Sequence, residues 1–303
     1  MLLKNYKAFA IGLSLLGFVA CKKDEPVETI LDNNLSEVSK ALLEKTQLVA
    51  RVFTDTVIEV HPGVQSTEIH YLSREGYSMR LFVMRVDMKQ PGLALKPITP
   101  FGGTGYARQT VPDMLKYIQG PNSKPLFAAN SDFFNGNTGE PRGIVYLNGQ
   151  AVRTIIPAAD WGYFGVSKTG QLMLGDSLDY TQRKGEILHA LGGHQRLVRN
   201  KVLEPQTDQT IEPRTCVGFT ADNILYFMVV DGRRFDYSNG ATYQKLGQMM
   251  LAVGAVEAIN LDGGGSSTYM INNPRGNIMQ VRNWSSDGAP RAVANGWSIV
   301  STN

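Results

Sequence analysis

The densest gathering of chemistry-bearing residues in this 303-residue sequence is the run Asn260-Leu261-Asp262-Gly263-Gly264-Gly265-Ser266-Ser267. Three consecutive glycines cost backbone entropy on folding. They also let main-chain N–H groups approach an anion with no Cβ in the way. Asp262 adds a carboxylate to such a cradle, and Ser266 and Ser267 add two hydroxyls. A tight glycine-rich turn would account for the same run without any ligand. A nucleotide loop would not, because a G-x-G-x-x-G between strand and helix is missing and no Gly-Lys-Ser/Thr follows.

Further polar clusters precede and follow this run. They are Asn130-Ser131-Asp132-Phe133-Phe134, Asn137-Thr138-Gly139-Glu140, Pro213-Arg214-Thr215, Asp231-Gly232, and Pro290-Arg291 with Val293. In this order, and together with the triple-glycine run, they resemble the motifs of the phosphodiester glycosidase family over residues 130–293, about half the chain. Ser131-Asp132 stands where the family pattern has two glycines, which places an extra carboxylate beside Asn130. Residues 28–125 carry none of the motifs. The resemblance implies hydrolysis of the glycosyl C1–O bond of a sugar-1-phosphodiester. Two readings compete with it: a non-catalytic surface glycan-binding protein of the same fold, and a glycosidase acting on non-phosphorylated polysaccharide.

A glycosyl phosphodiester sets its own requirements. Its anionic phosphate needs cations or N–H donors, and its acetal carbon passes through an oxocarbenium-like transition state that carboxylates stabilise. Asp262 and Glu140 are the catalytic candidates, with Asp132 and Asp231 behind them; turn capping through the local backbone is the competing role for each. Arg142, Arg214, Arg233 and Arg291 are candidate phosphate clamps, since a guanidinium binds two oxygens at once. Gly263, Gly264, Gly265, Ser266 and Ser267 would form the cradle. Asn130 and Asn260 would orient sugar hydroxyls or an acetamido group, or satisfy strand-end backbone.

His61, His70, His189 and His194 show no H-x-H or H-E-x-x-H spacing, so a histidine-built zinc site is not expected. Asp231-Gly232-Arg233 lacks the alternating oxygen ligands of a calcium loop. No cofactor follows from these motifs, while a divalent metal held by oxygen ligands from distant parts of the chain stays open. Cys216 reads as a small core residue.

The N-terminus suggests a location. Lys4 and Lys7 precede an apolar stretch from Ala8 to Ala20, too short to span a membrane, which ends in Gly17-Phe18-Val19-Ala20-Cys21. The order resembles a bacterial lipobox, with Phe18 where Leu is usual. It implies removal of residues 1–20, lipidation of Cys21, a tether over residues 21–27, and anchoring in the bacterial cell envelope at the outer membrane. Acylating Cys21 leaves Cys216 without a disulfide partner. The lipid would be the sole membrane contact. A formal net charge of +3, spread evenly, offers no electrostatic footprint for nucleic acid.

These residues must be positioned by an α+β fold. Leu31, Leu35, Val38, Leu42 and Val49 recur at helical spacing and predict an amphipathic helix over residues 28–49. Beyond it, Val52 to Val60 alternates as a strand and Met79 to Met88 reads as extended. Asn148-Gly149 predicts a type I′ hairpin between apolar runs. Further hairpins join Phe164-Gly165-Val166 to Leu172-Met173-Leu174, and Val217-Gly218-Phe219 to a strand over 224–230 whose apolar character on both faces makes it central. A helix over residues 242–253, stopped by Gly254, leads into the strand that delivers Asp262. The expected architecture is a mixed, mostly antiparallel sheet core with packing helices. A helix-plus-strand segment over residues 28–70 would precede a catalytic domain over 71–303.

Overall fold

The computed structural model describes residues 34–302. Cys21 and the residues expected to form the signal sequence and tether lie outside the described residues, as does the start of the predicted first helix.

That helix is shorter than its periodicity suggested. It spans Glu37–Lys45, with the Ser36 side chain accepting from the Ser39 N–H at its start. It stops because the Thr46 hydroxyl donates to the Leu42 carbonyl at 2.5 Å, occupying the acceptor that another turn would use. Val49, counted in the helical pattern, instead opens the strand Val49–His61.

Strand makes up 45% of the structure against 16% helix, and the ladders between strands are antiparallel, as expected of an antiparallel-dominated α+β fold. The main sheet has eight strands, in the order Val49–His61, Val64–Ser73, Ser78–Asp87, Ile224–Val230, Arg214–Phe219, Glu257–Leu261, Arg196–Arg199 and Val202–Leu203. A five-stranded sheet runs Gln150–Arg153, Val145–Leu147, Ile187–His194, Trp161–Ser167, Leu172–Gly175. Another runs Ile278–Val281, Tyr269–Asn273, Lys124–Asn130, Gly296–Ser301, Leu93–Ile98. The 49–73 hairpin thus belongs to the same sheet as the strand leading to Asp262.

Strand alternation explains how the layers stack. Leu225, Phe227 and Val229 point into a core shared with Phe127, Phe164, Tyr269 and Trp297 of the smaller sheets. Tyr226, Met228 and Val230 face the opposite way, into a core with Leu246, Met249 and Met250 of the helix Tyr243–Ala252 and Val38 and Leu42 of the first helix. Burial on both faces is why the strand Ile224–Val230 is apolar throughout and central. The hairpins form where turn chemistry placed them: Asn148 and Gly149 both take positive φ, 52° and 80°, and Asn223 takes 66°.

Candidate active site

At the end of the strand Glu257–Leu261, Asn130 ties the eight-stranded sheet to the sheet that contains Lys124–Asn130. Its Nδ2 donates to the Asp262 carbonyl at 2.6 Å, while its Oδ1 accepts from Thr215 Oγ1 and the Thr268 N–H, both at 3.0 Å. Asn130 is fully buried, and these bonds engage its side chain as a brace.

Beyond Asp262 the glycines form a short turn, Gly264–Ser266. Gly264 sits at φ 60°, and a Cβ there would approach both terminal nitrogens of Arg233 at 3.3 Å. The Gly263 N–H donates to Asp262 Oδ1 at 2.9 Å, and Arg291 Nη1 reaches Ser266 Oγ at 3.4 Å while its Nε holds Asp287 Oδ2 at 2.7 Å. Burial raises the Asp262 carboxyl to about 6, against the opposing pull of Ser266, the Gly263 N–H and the Arg291 charge. Its proton therefore comes and goes near neutrality.

The fold brings Asp132 within electrostatic reach of Asp262. Asp132 is 1% exposed; its N–H donates to Asn295 Oδ1 and its Oδ2 accepts from the Gly143 N–H at 2.8 Å. Its Oδ1 has no hydrogen-bond partner. Burial pushes this carboxyl up to about 8; the Gly143 N–H lowers it, the nearby Asp262 charge raises it and Arg153 lowers it. Gly192 makes room for it, since a Cβ there would stand 2.6 Å from Asp132 Oδ2. Glu140 instead pairs with Arg153, Oε1 to Nη1 at 3.0 Å. Arg153, 12% exposed at its side chain and with Nε unpartnered, is a cation beside Asp132 that sequence reasoning passed over. The signal was the hairpin register, which sets Arg153 opposite Val145.

The remaining candidates divide. Arg214 is buried and engaged: Nε donates to the Ala241 carbonyl, Nη2 to the carbonyl and hydroxyl of Thr210, and its guanidinium lies 4.0 Å from the Tyr243 ring centroid. Asp231 accepts from the Trp284 N–H, Asn283 Nδ2 and Tyr237 OH, anchoring the segment before Arg291. Burial raises its carboxyl to about 6 against those three bonds. Arg233 lies over Gly264 and binds Glu212 at 2.5 Å, whereas Arg142 is exposed on the Glu140 side. The Asn260 amide is fully buried with neither Nδ2 nor Oδ1 partnered, and the hydroxyls of Ser131 and Ser267 are likewise orphaned. Such a set of unsatisfied polar groups beside two carboxyls is unusual in a packed interior.

His194 ends the strand Ile187–His194 and lies against Trp161, whose ring centroid is 4.6 Å away. Phe133 packs edge-on against both, at 5.5 and 5.6 Å. Among the described residues, no group of three or more His, Cys, Asp and Glu side chains gathers to hold a metal ion.

Comparison with known proteins places this geometry. N-acetylglucosamine-1-phosphodiester alpha-N-acetylglucosaminidase from Bos taurus is 27% identical over 198 residues, 59% of this chain but only 36% of its own length. This chain thus matches about a third of that relative. The zebrafish N-acetylglucosamine-1-phosphodiester alpha-N-acetylglucosaminidase catalytic domain, solved auto-inhibited by its pro-peptide, superposes with a TM-score of 0.62 at 21% identity, covering 81% of this chain and 87% of that one. A hypothetical protein from Synechocystis gives 0.62 at 11% identity, over 82% and 64% of the two chains. At these identities the solved structures share the fold. The sequence profile of the phosphodiester glycosidases matches residues 123–300, the stretch that carries Asn130, Asp132, Asp262 and Arg291, and the chain belongs to the phosphodiester glycosidase family.

Proposed function

We propose that this protein hydrolyses the glycosyl C1–O bond of a sugar-1-phosphodiester, releasing the sugar and a phosphomonoester. The observation that carries this reading is the pairing of Asp132 and Asp262, two carboxyls within electrostatic reach of one another, raised to about 8 and about 6. Between those values one is protonated and the other ionised, the division of labour that glycoside hydrolysis uses.

In this mechanism the Asp262 carboxylate stabilises positive charge on the anomeric carbon or activates the water that attacks it. The unpartnered Oδ1 of protonated Asp132 donates to an oxygen of the departing phosphate. Phosphate is already a good leaving group, so that donation assists departure instead of driving it. Arg291 holds the phosphate and Arg153 adds positive charge from the Asp132 side; the N–H groups of Gly263, Gly264, Ser266 and Ser267, expected to cradle the anion, are already taken by Asp262 Oδ1 and the carbonyls of Pro213, Gly263 and Gly264. Asn260, Ser131 and Ser267 offer unsatisfied polar atoms for sugar hydroxyls. The named activity of the bovine relative makes N-acetylglucosamine the first sugar to try.

Hydrolysis in oxygen-18 water tests the reading directly. The label should enter the sugar and leave the phosphomonoester unlabelled. Label in the phosphate would mean attack at phosphorus, and the roles given to Asp132 and Asp262 would fall. The location belongs to the same proposal: Cys21 carries lipid and tethers the enzyme to the envelope. Cys21→Ser should move the protein from the membrane to the soluble fraction, and unchanged fractionation would refute the anchor.

A further inference from the structure

Phe133, Trp161 and His194 cluster with centroids 5.5, 4.6 and 5.6 Å apart, and Tyr243 extends the group from His194 at 6.5 Å. Both ends of this group are fixed to the site. Phe133 directly follows Asp132, and Tyr243 stacks on Arg214 within electrostatic reach of Asp262. The middle is set by strand register: Trp161 and His194 stand opposite one another in their antiparallel pair, two residues beyond Gly192, which packs against Asp132.

Two features set Phe133, Trp161 and His194 apart from core packing, whereas Tyr243 is buried in the core around the helix Tyr243–Ala252. Phe133 and Trp161 are partly exposed and belong to none of the hydrophobic clusters that hold the sheets together. His194 is fixed by a polar group, Asp160 Oδ2, at 2.8 Å from Nε2, and keeps 21% of its side chain exposed. Aromatic faces open to solvent beside unsatisfied polar groups, among them the buried Asn260 amide, suit a ligand with apolar faces and a polar rim. A pyranose ring has that form, with C–H bonds on its faces and hydroxyls around its edge.

We propose that Trp161 and His194 form the platform on which the pyranose ring of the glycosyl group stacks, with Asp160 acting as the positioning residue for His194. The inference rests on the reading given under Proposed function, because it names the subsite for the sugar whose C1–O bond is cut. It assigns the sugar to the side bearing Phe133 and Trp161 and the phosphate to the side bearing Gly264 and Arg291.

Two measurements test the platform separately from the chemistry. The sequence has three tryptophans, of which Trp297 is buried and Trp161 and Trp284 are accessible. In Trp284→Phe, N-acetylglucosamine 1-phosphate should quench fluorescence while inorganic phosphate does not, and the quench should vanish in Trp161→Phe. With the methyl phosphodiester of N-acetylglucosamine 1-phosphate as substrate, Trp161→Ala should raise KM about 3–10-fold, in keeping with the worth of an aromatic stack, and Trp161→Phe should restore most of it. Turnover with unchanged KM in Trp161→Ala would overturn the platform and leave the hydrolase reading standing. A sugar-dependent quench at Trp161 without turnover would support the platform and count against hydrolysis. Equal quenching by inorganic phosphate would overturn the platform.

Discussion

The Gly143 N–H donates to Oδ2 of Asp132 at 2.8 Å, yet burial outweighs this bond and lifts the carboxyl from 3.8 to about 8. The folded state thus holds this proton more tightly than the unfolded state does. Its contribution to stability is complete below pH 3.8 and is lost as pH rises through about 8. Asp132→Asn keeps an acceptor for Gly143 and cannot ionise. Urea midpoints measured at pH 5 and pH 8 should therefore fall less in the variant than in the wild type. Parallel behaviour of the two proteins would show that Asp132 does not titrate in this range.

Activity should follow the same pair. Asp262 must be ionised and Asp132 protonated, so kcat/KM should rise through about 6 and fall through about 8, with the two limbs belonging to the coupled pair. Asp262→Asn should lower kcat by roughly 10²–10⁴-fold. Asp132→Asn should abolish the alkaline limb. A pH profile for Asp132→Asn that superposes on that of the wild type would remove Asp132 from the reaction.

The roles that were legible in the sequence are those set by local chemistry. Asn148-Gly149 announced a hairpin because both residues tolerate positive φ, and the strand Ile224–Val230 announced its central place because it is apolar on both faces. The surroundings of Asp132 were hidden, because its pKa depends first on burial, to which the tight packing of Gly192 contributes, and then on the Gly143 N–H and the charge on Asp262, all brought in by the fold. Glu140 belongs to the motif-like stretch 137–140, but Arg153, at the end of the hairpin, pairs with it. The aromatic group draws on four separate segments, and no single stretch of sequence shows it.

The two arginines that sequence pattern treated alike should respond differently to the same substitution. Arg291 reaches Ser266 and in the proposed mechanism holds the phosphate, so Arg291→Lys should raise KM for a phosphodiester by an amount worth on the order of 1.5–3 kcal/mol per charge-assisted bond lost, with little change in melting temperature. Arg214 braces Thr210, Ala241 and Tyr243, so Arg214→Lys should instead lower the melting temperature and leave KM nearly unchanged. Thermal melts and steady-state kinetics on both variants decide the matter. A KM effect confined to Arg214→Lys would reverse the assignment.

The glycines differ in what they can tolerate, because their neighbours do. An added Cβ at Gly192 would meet the Gly143 Cα at 2.6 Å as well as Asp132, and backbone cannot step aside cheaply, so Gly192→Ala should cost about 1–3 kcal/mol of stability. At Gly265 the Cβ would fall 2.1 Å from Asp287 Oδ2, the end of a side chain that can swing outward. Gly265→Ala should therefore leave the fold nearly intact while it pushes Asp287 away and breaks its 2.7 Å bond to Arg291 Nε. Since Arg291 also reaches Ser266, loss of that hold should appear as a higher KM for the phosphodiester. Asp287→Gly alone should raise KM by a similar factor, and adding Gly265→Ala to it should change little further, because the side chain that collided is gone. Independent, multiplying effects of the two substitutions on KM would show that Gly265 acts on the site by some route other than Asp287.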